Sequence, residues 1–185
     1  MNPATNTMHE QLLLPQDQLR FVLMEKDEDN VVPGFRAVDP NIWFAIGSLL
    51  GRKKRTDKNA LDLENWLVEK HYRARGNIFY VHQKFILIDP LGDDPLVFAG
   101  SANFSAPSLS SNDENMLLVR GDSRVADIYL TEFDRLYRHF LYRGAANRNT
   151  AAAVDSNRFL STDDSWVGKH FQPGSYQSRR REMFA

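Results

Sequence analysis

The chain has 185 residues, a length that suits one domain with a hydrophobic core of its own. Its formal net charge is −1, which excludes a protein whose affinity for a polyanion rests on a globally basic surface, so any nucleic-acid contact must come from local patches. It has no cysteine, which excludes a disulfide framework and a cysteine-based zinc site and suits a reducing cytoplasm.

Residues 1–18 form a mixed polar leader that we predict to be flexible. The first ten residues lack the basic start and apolar run of a secretory signal. No stretch of the sequence is long and apolar enough to span a bilayer. We therefore expect a cytoplasmic protein without a transmembrane segment.

Apolar runs of strand length alternate with helical periodicity through the middle of the chain. Strands are predicted at Leu19–Glu25, Ile42–Ile46, His82–Asp89, Leu96–Ala99 and Asn115–Arg120. The second of these runs is continuously apolar, which indicates burial on both faces. This pattern predicts an α/β fold, a mixed β-sheet flanked by helices, in a lobe over residues 19–144.

Two helices are predicted in this lobe. One covers Asn59–Tyr72, and the longer one carries an apolar stripe. The stripe consists of Val125, Ile128, Tyr129, Phe133, Leu136, Tyr137, Phe140 and Leu141. Asp122 or Ser123 is expected to cap the long helix and Gly144 to end it. Residues 145–185 are predicted to form a tail that packs on the lobe through its few aromatic side chains.

The densest basic cluster lies on a predicted loop after the second strand. It consists of Arg52, Lys53, Lys54 and Arg55. One interpretation is a solvated loop, and the other is a contact to a phosphate backbone, which needs nearby cations but no fixed geometry between them. The sequence leaves both interpretations open.

Two short pieces of sequence suggest chemistry. His82 and Lys84 are two residues apart on a predicted strand, so they share a face, while Phe85 points to the other. A histidine and a lysine together on one face of an apolar strand are hard to explain by packing. Ser101 and Asn103 are also two apart and are expected to project to one side after the next strand.

The spacing of these residues resembles the signature of the phospholipase D superfamily. The pattern H-x-K-x4-D is present at His82–Asp89, and G-S-x-N is present at Gly100–Asn103. The family also has a glutamate about a dozen residues later, where this chain has Glu114.

The resemblance implies a phosphodiesterase that needs no metal or other cofactor. His82 would attack phosphorus to give a phosphohistidine, or protonate the departing alcohol in the other half of the site. Lys84 and Asn103 would hold the phosphate oxygens, and Ser101 would hydrogen-bond in the same pocket. Glu114 would accept a hydrogen bond from the second ring nitrogen of His82 and fix its tautomer.

Two further residues of the signature are expected to support the site. Gly100 would let the backbone come close to the phosphate. By strand parity Asp89 falls on the face opposite to His82, so we expect it to support the fold or orient a neighbour.

The chain has one copy of the signature, whereas the family's chemistry requires two histidines. The other four histidines are not followed by the x-K pattern; they are His9, His71, His139 and His170. We therefore expect a homodimer that pairs through its active-site face, or a C-terminal lobe of a longer two-lobe protein.

Three functions remain open. The first is a nuclease that cleaves DNA, because short single-motif members of the family resemble endonucleases. The second is a phospholipase D or phosphatidyltransferase acting on phospholipids. The third is one half of a split two-lobe enzyme that is inactive alone.

Overall fold

A computed structural model describes residues 14–25, 39, 41–47, 81–104, 106–148 and 163–185. The basic cluster at residues 52–55 and the helix predicted over residues 59–72 lie outside the described residues. The chain divides into two compact units, Met1–Asn147 and Arg148–Ala185.

The first sheet of the larger unit is a parallel pair. Strand β1 (Arg20–Met24) pairs with β2 (Ile42–Ile46), with Phe21 opposite Trp43. The predicted burial of β2 on both faces is confirmed, because its alternate residues enter two different clusters. Ile42, Phe44 and Ile46 pack with Val22 and Met24. Ala45 points into the second cluster, with Tyr137 and Phe140.

The second sheet is antiparallel and carries the signature. Strands β3 (Phe85–Ile88), β4 (Leu96–Gly100) and β5 (Met116–Arg120) are arranged in the order β3-β4-β5. A short helix, α1 (Ala106–Ser110), lies between β4 and β5. The predicted α/β class is confirmed, and the described strands divide the parallel and antiparallel pairing between two small sheets.

The long helix α2 (Ser123–Arg148) packs against both sheets through its aromatic side chains. Phe85 of β3 contacts Tyr129 edge to face at a centroid distance of 5.2 Å. Phe21 of β1 contacts the buried Tyr137 in the same way at 5.5 Å. Such ring pairs stabilise a core by about 1 kcal/mol each beyond their buried area. Helix α2 therefore links the two strand systems of this unit.

The ends of α2 agree in part with the prediction. Asp122 caps the helix, because its Oδ1 accepts a hydrogen bond of 3.0 Å from the backbone N–H of Val125. The expected end at Gly144 is wrong, since the helix continues to Arg148. A glycine inside a helix costs only about 1 kcal/mol relative to alanine, and the alanines that follow favour continuation. Ile128 is exposed and does not belong to the buried stripe.

The smaller unit contains a 3-10 helix (Val167–His170) and helix α3 (Tyr176–Met183). Ser175 caps α3 by accepting a hydrogen bond of 3.1 Å from the backbone N–H of Ser178. Trp166 and Phe171 are exposed, and the packing of the tail on the lobe stays a prediction. No helix within the described ranges combines the length and the apolar character needed to cross a membrane.

Candidate active site

The histidine and lysine of the signature lie immediately before β3. A strand over His82–Asp89 was predicted, but β3 covers only Phe85–Ile88. The pairing of β3 with β4 ends with a hydrogen bond of 3.2 Å from the N–H of Gly100, the last residue of β4, to the carbonyl of Lys84. Phe85 packs on α2 while the His82 side chain is exposed, and a shared face for His82 and Lys84 stays a prediction because the two residues precede the strand.

The backbone that enters this segment is held by β1. The N–H of Val81 donates to a carboxylate oxygen of Glu25, directly after β1, at 2.8 Å. The Val81 side chain packs in the aromatic cluster around Tyr137. His82 is therefore an exposed side chain on a backbone that is anchored on both sides, by Val81 and by Lys84.

Lys84 places its charge next to His82. Its Nζ donates a hydrogen bond of 2.7 Å to the backbone carbonyl of His82. The Lys84 side chain is half-buried and makes no ion pair with any residue that the structure describes. An ammonium group on a neutral acceptor keeps its full charge, which suits it to hold a phosphate oxygen.

Gly100 is required by the approach of β4 to β5. A Cβ built on it would collide with the backbone carbonyl of Asn115, and only glycine avoids that contact. The N–H of Ser101 donates to the same carbonyl at 3.1 Å. Gly100 thus allows the close approach of β4 to β5. A close approach of its backbone to a phosphate stays a prediction.

Ser101 and Glu114 are brought together across β4 and β5. The hydroxyl of Ser101 donates to Oε2 of Glu114 at 2.6 Å and accepts from the N–H of Asn115 at 3.1 Å. Asn112 donates to Oε1 of the same carboxylate at 3.2 Å. Among the described contacts of Glu114 there is none to the ring of His82, which was its predicted partner. A role for Glu114 in orienting His82 stays a prediction.

The environment of Glu114 favours its ionised form. The hydrogen bond from Ser101, then the one from Asn112, and then the positive charge of Lys84 lower the pKa of Glu114 below its ordinary value. Glu114 and Lys84 therefore influence each other without forming an ion pair. At neutral pH the Glu114 carboxylate therefore contributes a negative charge to this edge of the sheet.

The remaining signature residues lie in two different places. Asn103 is exposed on the loop after β4 and has no hydrogen bond to the rest of the described chain. Asp89 lies at the opposite end of β3, where it adopts a φ of 47° and its carbonyl accepts from the N–H of Gly92 at 3.0 Å. This position keeps Asp89 away from His82, and its supporting role stays a prediction.

Sequence reasoning missed Asn112 as a member of the site. It links Glu114 to α1, because its side-chain nitrogen lies 3.2 Å from Glu114 and 3.5 Å from the buried hydroxyl of Ser108. Its only sequence signal was its position two residues before Glu114. Within the described ranges, no three His, Asp or Glu residues are grouped so that they could hold a metal ion.

These side chains are of the chemical types that a phosphodiester reaction needs. The exposed imidazole offers a nucleophile or proton carrier, the ammonium offers a charge for the non-bridging oxygens, and the amide of Asn103 offers a neutral donor. Ser101 and Glu114 fix the loop that follows β4.

Comparison with protein families identifies a match to this chain. The family model described as cardiolipin synthase, PLD-like domain, matches residues 36–137, somewhat more than half of the chain. No match was found among curated proteins or among solved structures. The matched range contains His82, Lys84, Ser101, Asn103 and Glu114.

Proposed function

Since this chain belongs to the phospholipase D superfamily, as a phosphodiesterase-type domain of the cardiolipin synthase, PLD-like family, we propose that it is a nuclease that cleaves DNA phosphodiesters without a metal ion. The observation that carries the proposal is the grouping of exposed His82 with the ammonium of Lys84, which makes no ion pair within the described residues, at the edge where Ser101 and Asn103 follow β4.

In the proposed reaction, a ring nitrogen of His82 attacks phosphorus and forms a P–N bond while the P–O bond to the departing sugar oxygen breaks. The partner subunit's His82 gives that oxygen its proton. Water then attacks phosphorus, passes a proton to the same imidazole, and displaces the first histidine. Lys84 and Asn103 bind the non-bridging oxygens, whose charge is best stabilised by donors that are already in place.

The reaction requires a second histidine, and we propose that a second copy of the chain supplies it. The surface beside the site suits such pairing. Met116, Leu117 and Leu118 follow Glu114 by two to four residues and are all exposed, Leu117 by 64%. Adjoining exposed apolar side chains are characteristic of interaction surfaces. Pairing through this strand would bury them and bring two half-sites together.

The test of the chemistry is nicking of supercoiled plasmid by the purified full chain in the presence of EDTA. We expect nicking with EDTA and none with the His82→Ala variant. Nicking that EDTA abolishes would contradict a metal-free mechanism. Trapping of a phosphorylated protein after acid-free denaturation, absent in His82→Ala, would separate the phosphohistidine route from direct attack by water.

The test of the shared site uses mixed dimers. Co-expression of the parent chain and His82→Ala with different tags allows dimers that contain one of each to be isolated. If both histidines act on one phosphate, the mixed dimers are as inactive as His82→Ala dimers. Mixed dimers that keep half of the parental activity would show two independent sites.

Phosphatidyl transfer or phospholipid hydrolysis is the second candidate. It is favoured by the description of the matching family and by the same exposed apolar side chains, which are also compatible with a lipid surface. A glycerophospholipid assay with and without an alcohol acceptor therefore accompanies the plasmid assay. A monomer that is inactive on both substrates would support the split-enzyme alternative.

A further inference from the structure

We propose that the C-terminal unit carries a second contact for the substrate, a surface that binds single-stranded nucleic acid. This surface, the aromatic–arginine surface, consists of Trp166, His170, Phe171 and Arg181. The proposal rests on the nuclease function for its purpose, but its test does not depend on cleavage.

The four side chains are neighbours in the folded unit. The rings of Trp166 and His170 meet edge to face at 5.6 Å. The guanidinium carbon of Arg181 lies 4.8 Å from the centre of the Phe171 ring, and its Nε donates to the carbonyl of His170 at 3.0 Å. Arg181 is therefore held above an aromatic ring, a geometry that preorganises a planar cation.

The rings of this surface are exposed where packing would normally bury them. Trp166 is 54% and Phe171 62% exposed, and both are among the largest apolar side chains of the unit. Arg180, which precedes Arg181 on α3, lies over the ring of Phe184, the residue that follows the helix, at 4.9 Å and forms a second arginine–ring pair in this unit. Exposed aromatic rings among arginines are the combination that stacks on bases and binds phosphates.

The basic residues of the described C-terminal segment are concentrated on α3. Residues 163–185 contain one lysine and three arginines against two aspartates and one glutamate, and the three arginines are consecutive, at positions 179–181. A basic patch on a protein without overall positive charge is the local feature that nucleic-acid binding requires.

Two observations favour a single-stranded nucleic acid over a membrane or a duplex. Helix α3 has the sequence YQSRRREM, so it lacks the apolar face by which an interfacial helix enters a bilayer. Stacking requires the flat face of a base, which is occupied within a duplex and open in a single strand.

The experiment measures binding of a fluorescein-labelled oligothymidylate of about 16 nucleotides, a length within known single-strand site sizes, by fluorescence anisotropy. The full chain carries His82→Ala so that no probe is cleaved. Phe171→Leu keeps an apolar side chain but removes the ring, and we expect it to weaken binding about tenfold. Arg181→Gln should weaken binding and lower the slope of log affinity against log salt by about 0.7.

Arg135→Gln is the matched control. Arg135, like Arg181, is an exposed arginine that pairs with a helical glutamate, and its loss changes the net charge equally. We expect its affinity for the probe to equal that of the parent. Circular dichroism of each variant checks its folding. Binding of the probe to the surface should also quench the fluorescence of Trp166. The Trp166→Phe variant shows which part of the quenching comes from this residue.

Equal binding by all variants would overturn the proposal, as would tighter binding of a duplex of the same length or binding only to phosphatidylglycerol vesicles. Failure of the nuclease proposal gives a different result, namely an intact plasmid with oligothymidylate binding retained. Variants of the aromatic–arginine surface should keep His82-dependent nicking of the plasmid. Their cleavage of a single-stranded substrate should be weaker than that of the parent.

Discussion

The two ends of the β3–β5 sheet both carry exposed charges but use them differently. At the turn end, Arg120 donates from Nε and Nη2 to the carboxylate of Asp94, at 2.8 and 2.5 Å. At the other end, Lys84 donates to a backbone carbonyl, and Glu114 accepts from a hydroxyl and an amide.

The pKa shifts reflect the same contrast. The hydrogen bonds that Arg120 donates to Asp94 lower the pKa of Asp94 and raise the pKa of Arg120. The pKa of Glu114 is lowered mainly by the neutral Ser101 and Asn112. A cation and a carboxylate that neutralise each other stabilise a hairpin end, whereas charges satisfied by neutral partners stay available to a substrate.

The largest effect is expected from His82→Ala. Loss of a nucleophile or proton carrier should lower kcat for plasmid nicking by about 10⁴-fold or more. The exposure of the side chain predicts an unchanged thermal unfolding midpoint. Retention of more than a small fraction of the activity would remove His82 from the mechanism.

A direct test of the two ends pairs Lys84→Ala with Arg120→Ala. Removal of the Lys84 charge should lower kcat/KM by about 10²–10³-fold, the usual cost of losing a preorganised donor in the transition state. Arg120→Ala, which removes a similar exposed charge from the turn end, should leave nicking unchanged. Partial recovery by Lys84→Arg would identify the charge as the functional feature. Equal losses of kcat/KM in both variants would show that the two ends of the sheet do not differ in function.

Leu117→Lys tests whether the exposed strand beside the site forms the dimer. A lysine at this position would face its symmetry mate or be buried without a partner, and dissociation of the dimer should become easier by at least about tenfold, or 1.4 kcal/mol. Analytical ultracentrifugation measures the change, and nicking per chain should fall with dimer content. The exposed Ile128→Lys on α2 serves as the control.

The smallest effect is expected from Ser101→Ala, and it depends on pH. Since the folded-state pKa of Glu114 lies below its ordinary value of 4.5, ionised Glu114 stabilises the fold above pH 4.5, and this contribution is lost as the pH falls through the folded-state pKa. Ser101→Ala removes the largest cause of that shift. The difference in unfolding free energy between parent and variant should therefore be small but measurable at pH 7 and diminish below pH 4.5. A difference that grows on acidification would contradict the assignment.

Much of the scaffold could be predicted locally. Strands β1 and β2 and the cap of α2 follow from apolar runs and a single aspartate, features that neighbouring residues decide by themselves. The continuation of α2 beyond Gly144 could not, because a weak helix breaker yields to the alanines after it and no nearby proline stops the chain.

The sequence by itself determined the family and the candidate residues of the site, because the order and spacing of His82, Lys84, Ser101 and Asn103 form the family's signature. Only the tertiary structure decided which partner each side chain meets. Glu114 accepts from Ser101 and Asn112, and Gly100 makes room for the carbonyl of Asn115. Those partners depend on the register between β4 and β5, which is set by pairing across sixteen or more residues of sequence and not by local spacing.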